Sequence, residues 1–443
     1  MRLSISALSA LGALTHLFAH NVPGVVASGS GSSLAQFALD KVLKDARDIL
    51  GIYSDPTSDT ASISDSDTTS ISDSTSGSTI NTYGHGHGYA YNKYARWMAD
   101  LPDSTPLAHL TIPGVHDAAT WNYTQSTQDS LINTTTRCDG TTPNPARVYQ
   151  CQQLSILSAL ESGIRFFDLR FALDPLGARL VFWHGPALLS AGAGVEDVLF
   201  GFYAWLDSHP EEMVLLSFQY EGGTRVNATS DAVVQGLLVE ALTGEVARGY
   251  VASGRGVLGT LGDVRGKIVL FRRFDLDQLP PEYEATIPGL HMSPTKWLDN
   301  SPTGFELVFN ETNPDGTGTA YIEDFYHPDN ATTIAGNIEA KFAAVETHLR
   351  EAVSGEHPDS LFVTFTSGTH VEISPAVYPD VMALGSGGGG SSGRGLGRKE
   401  LAVSGVNERL LSLFRELKGK RLGIVVMDFF EEPEGLIDLL LGF

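Results

Sequence analysis

The stretch Gly163-Ile164-Arg165-Phe166-Phe167-Asp168-Leu169-Arg170 shows the pattern on which the chain is built: a short apolar run ends in charged side chains. Similar runs recur along the chain, and helical patterns at 195–206, 231–248, 335–353 and 406–418 fall between most of them. The runs are Leu110–Ile112, Ile164–Phe171, Leu180–Trp183, Met213–Phe218, Ile268–Phe271, Tyr321–Phe325, Leu361–Phe365 and Ile424–Phe429. Short apolar runs that alternate with amphipathic helices are typical of parallel α/β folds. The sequence therefore predicts an α/β domain with a parallel sheet.

The interval between the second and third runs is too short for a helix. Residues 172–179 include Asp174-Pro175-Leu176-Gly177 and can hold only a turn. The second and third runs are therefore predicted to form an antiparallel hairpin, because parallel neighbours need a longer connection. This interval favours an irregular barrel over a regular eight-fold one.

Polar side chains accumulate at the carboxyl ends of the apolar runs. They are His116, Asp117, Asp168, Arg170, His184, Arg272, Arg273, Asp324, Tyr326 and Asp428. In a TIM barrel the active site lies at this face, where the ends of different strands converge. A single histidine near a strand end is usually structural, but two histidines, several arginines and several aspartates in the same placement predict a functional site.

Two histidines with carboxylates and an arginine suit the cleavage of a phosphodiester without a metal ion. One imidazole can accept a proton from an attacking hydroxyl while the other donates a proton to the leaving oxygen. A carboxylate beside each ring fixes its tautomer, and arginine offers a planar set of donors to phosphate oxygens. A Ser-His-Asp hydrolase is the competing chemistry, but no nucleophile elbow lies between a strand pattern and a helix pattern.

Six segments of the chain, taken in order, resemble the X domain of phosphatidylinositol-specific phospholipase C. Ile112-Pro113-Gly114-Val115-His116-Asp117 resembles the first histidine motif, Gly163–Arg170 the motif that follows it, and Trp183-His184-Gly185-Pro186 the second histidine motif. The remaining segments are His209–Glu212, Gly266–Leu270 and Val426–Asp428. The resemblance covers residues 92–435 and implies the irregular TIM barrel of the secreted, calcium-independent bacterial branch.

The resemblance also implies which residues carry out the acid–base chemistry. His116 corresponds to the general base that takes the proton of the inositol 2-hydroxyl, with Asp428 as its partner. His184 corresponds to the general acid that protonates the diacylglycerol oxygen, with Asp117 beside it. The implied activity is cleavage of phosphatidylinositol or glycosyl-phosphatidylinositol lipids to diacylglycerol and a cyclic inositol phosphate.

Phosphate and head-group binding are implied in the same way. Arg170 corresponds to an arginine that contacts the phosphate where the metal-dependent branch binds calcium, so the resemblance implies no metal and no cofactor. The residues implied in substrate binding are Asp168, Gln219, Arg273, Asp324 and Tyr326. The chain departs from the bacterial pattern at Gln219, where an inositol-binding lysine is usual, and at Val115 and Ala118 beside the first histidine. A catalytically inactive lipid- or glycan-binding barrel and a phosphodiesterase for another head group are the alternatives.

The charge of the chain restricts its partners. Its 443 residues include 52 acidic and 29 basic ones, which gives a net charge of −23 at pH 7. So acidic a chain repels a phosphate backbone, and nucleic acid is therefore not an expected partner. The expected partner is a phospholipid or a glycosyl-phosphatidylinositol anchor at a membrane surface, and the chain is expected to be a monomer.

The first 91 residues have the composition of a leader and a linker. Residues 1–27 combine Arg2 with the mostly apolar Leu3–Phe18, as a secretory signal peptide does. Residues 28–91 contain a helical pattern at 34–50 and a Ser/Thr/Asp-rich tract with almost nothing to bury, which is expected to be disordered. Residues 92–443 make up the predicted barrel. No later run is long and apolar enough to span a membrane, so the protein is expected to be secreted.

Secretion also determines how the cysteines and sequons are interpreted. Cys138 and Cys151 are the two cysteines of the chain, and in a secreted protein they predict a disulfide, with two buried free thiols as the alternative. The glycosylation sequons begin at Asn122, Asn133, Asn227, Asn310 and Asn330.

Overall fold

The computed structural model describes residues 44–51, 92–139, 143–224, 227–312, 318–387 and 402–443, without the side chains of residues 136–139. The predicted signal peptide, most of the predicted linker and its Ser/Thr/Asp-rich tract lie outside the described residues. The domain boundaries at residues 27 and 91 therefore remain predictions.

The strands of the described residues form one large curled sheet and a small separate pair. In chain order they are β1 (Thr111–Val115), β2 (Phe166–Leu173), β3 (Leu180–His184), β4 (Ala187–Leu188), β5 (Val214–Tyr220), β6 (Ile268–Arg273), β7 (Leu290–His291), β8 (Phe305–Val308), β9 (Thr319–Glu323), β10 (Leu361–Phe365), β11 (Gly385–Ser386), β12 (Val403–Ser404) and β13 (Gly423–Met427). The large sheet follows the order β7-β6-β5-β2-β1-β13-β10-β9-β8. Every pairing in this order is parallel except that of β8 with β9. The predicted α/β fold with a mainly parallel sheet is confirmed.

Helices connect most of the parallel strands. In the described residues they are Gln125–Asp139, Ile156–Glu161, Val195–Ser208, Ala232–Thr243, Ala247–Tyr250, Leu261–Val264, Pro281–Thr286, Ile334–Ser354, Pro379–Leu384, Val406–Glu416 and Leu436–Leu441. The helical pattern at 231–248 is two helices rather than one. Asp231 caps the start of the first by accepting from the backbone N–H groups of Val233 and Val234, and Gly244 ends it.

The interval between β2 and β3 contains a turn, as the sequence predicts. The two strands are antiparallel, with Phe171 opposite Phe182 and Leu173 opposite Leu180. The hairpin takes the place of a strand–helix–strand unit. At the other side of the sheet β7 and β8 are the two edges of the strand order, so the curled sheet does not close by hydrogen bonds in the described residues.

Alternate residues of the strands face two different parts of the core. Ile112, Phe166 and Leu215 pack inside the curled sheet, whereas Phe167 and Leu216 pack outside it in the cluster that includes the helices. This alternation is the period-two pattern of β-strands. The consequence is that side chains two residues apart along a strand share the barrel interior.

A helical segment at residues 44–50 packs against the outside of the barrel. Ile49 and Leu50 are fully buried in the larger core cluster, and the indole N–H of Trp121 donates to the carbonyl of Ile49 at 3.0 Å. The end of the predicted helix at 34–50 is thus part of the folded core. No helix within the described ranges has the length and apolar character needed to cross a membrane.

Candidate active site

The interior of the barrel changes from apolar to charged toward the carboxyl ends of the strands. On β2, Phe166 is followed two residues later by Asp168 and four residues later by Arg170, all on one face of the strand. The same period leads from Ile424 and Val426 on β13 to Asp428 just beyond it. The strands therefore bring their polar carboxyl-terminal residues together above an apolar floor.

The first histidine is paired with a buried carboxylate from the neighbouring strand. β1 and β13 are parallel with Val115 opposite Met427, so the next residues, His116 and Asp428, lie side by side. His116 Nδ1 is 2.8 Å from Asp428 Oδ1. Burial raises the pKa of Asp428, and the neighbouring His116 limits that rise.

A second contact of the His116 ring fixes the position of its proton. Its Nε2 lies 2.8 Å from Nη2 of Arg170. A guanidinium can only donate, so Nε2 accepts and the proton of the ring is on Nδ1, where it is donated to Asp428. This imidazole is therefore neutral and has its lone pair directed into the site.

The second histidine is held in a different way. His184 ends β3, and its Nδ1 lies 2.9 Å from Asp117 Oδ2 and 3.0 Å from the carbonyl oxygen of Tyr149. Because a carbonyl only accepts, Nδ1 carries a proton. Burial disfavours the charged ring, but the carboxylate of Asp117 outweighs it and raises the pKa of His184 above its ordinary value. The two histidine rings lie edge to face with centroids 6.4 Å apart.

Arg170 lies among the carboxylates of the site. Its Nε is 3.2 Å from Asp168 Oδ2 and 3.8 Å from Asp117 Oδ2, and its Nη1 is 3.9 Å from Glu221 Oε2. Although burial opposes its charge, Asp168 and Asp117 raise the pKa of Arg170. Burial likewise opposes ionisation of Asp168, but Arg170 and Arg273 lower its pKa. The guanidinium is thus permanently charged, with Nη2 directed at His116.

Glu221 belongs to the site although the sequence analysis did not select it. It follows the last residue of β5, its pKa is raised by burial, and its Oε2 is buried without a hydrogen-bond partner among the described residues. Its position in the sequence could have indicated this, because Glu221 is the first residue after β5, just as His116 is the first residue after β1.

A cleft of about 650 Å³ contains part of the predicted substrate pocket, and Arg273 in its wall lies 3.6 Å from Asp168 of the histidine site. Gln219 and Arg273 line it together with Trp297. The Arg273 guanidinium lies 3.7 Å from the centroid of the Trp297 ring, and its Nη2 is 3.7 Å from Asp324 Oδ2. The buried Oε1 of Gln219 has no hydrogen-bond partner in the described part of the chain. The sequence analysis did not assign Trp297 to this pocket, because it lies in a connection between strands rather than at a strand end.

The other two predicted pocket residues each form a hydrogen bond with a residue of the cleft wall. Asp324 accepts a hydrogen bond from the Trp297 indole at 2.9 Å and so holds the ring against Arg273. Tyr326 is half-exposed, and its hydroxyl donates to Asp299 at 2.9 Å, a residue of the cleft wall. The structure thus brings all the predicted catalytic and binding residues to one end of the barrel.

A short segment braces the turns that carry His116 and Asp428. The amide Nε2 of Gln152 donates to the carbonyls of His116 at 2.7 Å and Met427 at 2.9 Å, and the carbonyl of Cys151 accepts from the N–H of Phe429 at 3.1 Å. These turns need support because Asp117 and Phe429, the residues after His116 and Asp428, have left-handed backbones with φ of +44° and +46°.

Cys151 is a free, fully buried thiol beneath the site. The side chain of Cys138 lies outside the described residues, so the predicted disulfide is not shown. Burial raises the pKa of the Cys151 thiol, with further contributions from Asp428 and Asp117. Its sulfur also lies near enough to His116 and Asp428 to complete a set of three metal-ligating groups.

The five sequon asparagines differ in exposure. Asn133, Asn227 and Asn330 are exposed, whereas Asn122 is half-buried, and so is Asn310, whose amide donates to the carbonyl of Gly256 at 2.9 Å. Glycosylation of these residues remains a prediction.

Comparison with known proteins confirms the resemblance to phosphatidylinositol-specific phospholipase C, although no protein-family model matches the chain. The chain is 31% identical over 181 residues to a 1-phosphatidylinositol phosphodiesterase of Listeria monocytogenes, covering 40% of this chain and 47% of the relative. It is 34% identical over 143 residues to the PI-PLC X domain-containing protein 1 of Mus musculus, covering 29% of this chain and 41% of the relative. A 1-phosphatidylinositol phosphodiesterase of Staphylococcus aureus is 23% identical over 275 residues, which cover 61% of this chain and 74% of the relative. The chain thus spans about half the length of the first curated relatives it matches.

Solved structures confirm the fold. A variant of phosphatidylinositol-specific phospholipase C from Staphylococcus aureus superposes with a TM-score of 0.57 at 18% identity and covers 79% of this chain and 97% of its own. The phosphatidylinositol-specific phospholipase C from Listeria monocytogenes gives a TM-score of 0.51 at 22% identity, with 79% and 97% coverage. The chain therefore has the irregular TIM barrel of these enzymes, as predicted.

Proposed function

We propose that this protein is a phosphodiesterase that cleaves phosphatidylinositol or glycosyl-phosphatidylinositol lipids by acid–base catalysis between two histidines. The observation that carries the proposal is the difference between the two rings. His116 accepts a hydrogen bond at Nε2 and is neutral, whereas Asp117 raises the pKa of His184 and favours its charged form. One ring is ready to take a proton and the other to give one.

The proposed reaction follows from this difference. The inositol 2-hydroxyl loses its proton to Nε2 of His116 while its oxygen attacks the phosphorus. The bond from phosphorus to the diacylglycerol oxygen breaks, and His184 gives its Nε2 proton to that oxygen. The products are diacylglycerol and a cyclic 1,2-phosphate. Asp428 stabilises the positive charge that forms on His116, as in other carboxylate–histidine pairs.

Arg170 is the proposed phosphate ligand. Its guanidinium lies beside the first histidine and has one Nη2 donor on His116. Substrate binding must transfer this donor to a non-bridging phosphate oxygen, because His116 Nε2 can accept from only one group at a time. When this hydrogen bond moves from His116 to the phosphate, Nε2 of His116 becomes free to accept a proton. The same hydrogen bond then stabilises the negative charge of the transition state.

The choice of head group is assigned to the cleft around Gln219 and Arg273. The unpartnered Oε1 of Gln219 can accept a hydrogen bond from a sugar hydroxyl. It provides no positive charge, however, so a head group other than plain inositol is the second candidate substrate. A panel of phosphatidylinositol, a glycosyl-phosphatidylinositol and phosphatidylcholine would separate these possibilities.

The test is the release of diacylglycerol and cyclic inositol phosphate from phosphatidylinositol vesicles in the presence of EDTA. We expect turnover by the wild type, with a loss of at least about 10²-fold in both His116→Ala and His184→Ala. Activity that appears only after calcium is added would reject the role of Arg170. Binding to the vesicles without turnover of any lipid in the panel would favour the inactive lipid- or glycan-binding barrel.

We further propose that the protein acts outside the cell, as residues 1–27 and the sequons suggest. Expression of the full chain in a eukaryotic host should deliver it to the medium, and N-glycosidase should reduce its mass. Substitution of Asn330, which is exposed, should reduce the mass shift by one glycan. Retention of an unmodified chain inside the cell would contradict secretion.

A further inference from the structure

A second cluster of ligating side chains lies on the same end of the barrel, outside the candidate active site. His327 follows β9, and His370 and Glu372 follow β10. One possible ligand atom from each lies within 4.8 Å of the other two, and His327 Nε2 is 3.1 Å from Glu372 Oε2. Tetrahedral zinc has ligands about 3.3 Å apart, given metal–nitrogen distances of about 2.0–2.1 Å. Small side-chain movements would therefore suffice to place these atoms around one ion.

Both imidazoles are already oriented by hydrogen bonds from Nδ1. His327 Nδ1 lies 2.5 Å from Asp329 Oδ1, and His370 Nδ1 lies 2.9 Å from Asn337 Oδ1. The Asn337 amide nitrogen donates to two backbone carbonyls, so its Oδ1 is an acceptor and His370 Nδ1 carries the proton. His370 then has its lone pair on Nε2, whereas His327 lies between two carboxylates and shares its Nε2 proton with Glu372 until an ion takes the place of that proton. Metal-binding histidines typically have such a partner on the other nitrogen, and a carboxylate partner is common.

The backbone around the cluster is also fixed. The side chain of Asn300 accepts from the N–H of His327 and donates to its carbonyl, both at 2.8 Å. His370 exchanges two backbone hydrogen bonds with Val377 at 2.8 and 2.9 Å. His370 is buried, and the two rings lie with centroids 4.3 Å apart. The ligands thus come from two loops whose positions are set before any ion binds.

We propose that His327, His370 and Glu372 bind one zinc ion, with Asp329 and Asn337 orienting the two imidazoles and a water molecule in the fourth position. Two imidazoles and one carboxylate suit zinc better than calcium or magnesium, which prefer oxygen ligands. The ion replaces the proton shared by His327 Nε2 and Glu372, which is released to the solvent. It joins the loop after β9 to the loop after β10 and takes no part in phosphodiester cleavage.

The test measures zinc bound by the full chain after treatment with EDTA and dialysis. We expect one equivalent per chain by elemental analysis and a higher melting temperature with zinc than without. Glu372→Gln should weaken binding at least about tenfold, and Asp329→Asn by about 10–100-fold, the usual effect of removing a partner of a ligating histidine. Glu356→Gln is the matched control, because Glu356 is also exposed and lies outside the cluster, and it should bind zinc like the wild type.

Glu372 has an exposed side chain, so its amide variant should fold and melt like the wild type without zinc. Failure of the wild type to retain zinc would overturn the proposal. So would zinc binding that Glu372→Gln leaves intact, because the ion would then lie at another group of ligands, such as the one that contains Cys151. These measurements do not depend on phosphodiesterase activity.

Discussion

The two histidines of the candidate site have neighbours that favour opposite protonation states. Nε2 of His116 accepts from an arginine, which keeps the ring neutral. Nδ1 of His184 donates to the carbonyl of Tyr149 and lies 2.9 Å from the carboxylate of Asp117, which favours the charged ring. The proposed division into base and acid is therefore built into the resting site, before any substrate is bound.

The pH dependence of activity should report the contribution of Asp117. The general acid must be protonated, so activity falls as the pH rises through the pKa of His184, which Asp117 holds above its ordinary value. In Asp117→Asn this support is lost and burial lowers the pKa. The alkaline limb of the kcat/KM profile should therefore move to lower pH by about 1–3 units.

Asp359→Asn is the control for this measurement. Asp359 also pairs with a histidine, His109, but this pair lies at the surface. Asp359 precedes β10, so it lies at the end of the strand that is opposite to the candidate site. Its substitution should leave the profile unchanged. An unmoved alkaline limb in Asp117→Asn would mean that His184 is not the acid.

Arg170 should be irreplaceable by lysine if it binds the phosphate. Lysine retains the charge but lacks the planar pair of donors. We expect Arg170→Lys to lower kcat by about 10²-fold or more. We also expect it to lose most of the preference of the wild type between the two non-bridging phosphorothioate stereoisomers.

The matched control is Arg147→Lys, which changes an exposed arginine paired with Asp380 and should alter neither quantity. Unchanged stereoselectivity in Arg170→Lys would show that this guanidinium does not touch the phosphate. Arg170 would then only pair with Asp168, and its substitution would lower the free energy of unfolding rather than kcat.

The site residues at the strand ends could be predicted from the sequence, because the alternation of side chains along a strand depends only on neighbouring residues. Asp168 and Arg170 share a face of β2, and their neighbours in the chain are enough to show it. Cys151, by contrast, lies in a loop that tertiary packing places beneath the histidines. The residues next to it in the sequence do not indicate that position. The zinc ligands were missed for the same reason, since His327 and His370 meet only through tertiary packing.

At the scale of elements, the segment around Gln152 couples the ends of β1 and β13. Its amide donates to one carbonyl from each strand end. Gln152→Ala would remove the donor of the His116 carbonyl and leave the Met427 carbonyl with only the N–H of His116, so we expect a loss of about 1–3 kcal/mol in the free energy of unfolding. We also expect a lower kcat, because His116 and Asp428 are no longer held together.

The neighbouring Gln153 provides the comparison for chemical denaturation and kinetics. It is exposed, and Gln153→Ala should resemble the wild type in both measurements. If Gln152→Ala lowers stability but leaves kcat unchanged, the segment supports the fold and not the geometry of the site.

The sequence predicted the hairpin β2–β3 but not the strands at the edges of the sheet. The short turn between β2 and β3 is visible in the sequence, and it forces the two strands to be antiparallel. β7 has two residues and β8 has four, which gives no clear apolar run. Whether such a short segment becomes a strand depends on the partner beside it, and the partner is known only from the fold.

At the scale of the whole molecule, one fully buried ion pair anchors the amino-terminal end of the barrel. Nη2 of Arg165 lies 2.7 Å from Glu212 Oε2, and neither side chain is exposed. Arg165 also donates to the carbonyls of Leu160 and Ala95. Arg165→Met would leave a buried carboxylate unpaired and should cost about 3–5 kcal/mol of unfolding free energy, measured by denaturant titration.

Arg350→Met is the surface counterpart, because Arg350 is exposed and pairs with Glu346 and Glu416. It should cost less than about 1 kcal/mol. The activity of the folded fraction should be unchanged in both variants, since neither arginine lies near the two histidines. A small effect of Arg165→Met would mean that Glu212 is easily neutralised in the interior.

The open sheet separates the proposed acid–base groups from the residues proposed to select the head group. β1 is the middle strand of the order. The proposed base His116 and its partner Asp428 follow β1 and its neighbour β13, and the proposed acid His184 ends β3, which pairs with β2 beside β1. Arg273 and Asp324 come instead from β6 and β9, each next to an edge strand, and meet across the opening between the edges. Evolution could therefore exchange the residues beside this opening for new lipid preferences without disturbing the reaction itself. Relatives with the same barrel would then be expected to differ in substrate specificity while they retain one mechanism. A mutant library confined to the residues beside this opening should yield altered specificity more often than inactive protein.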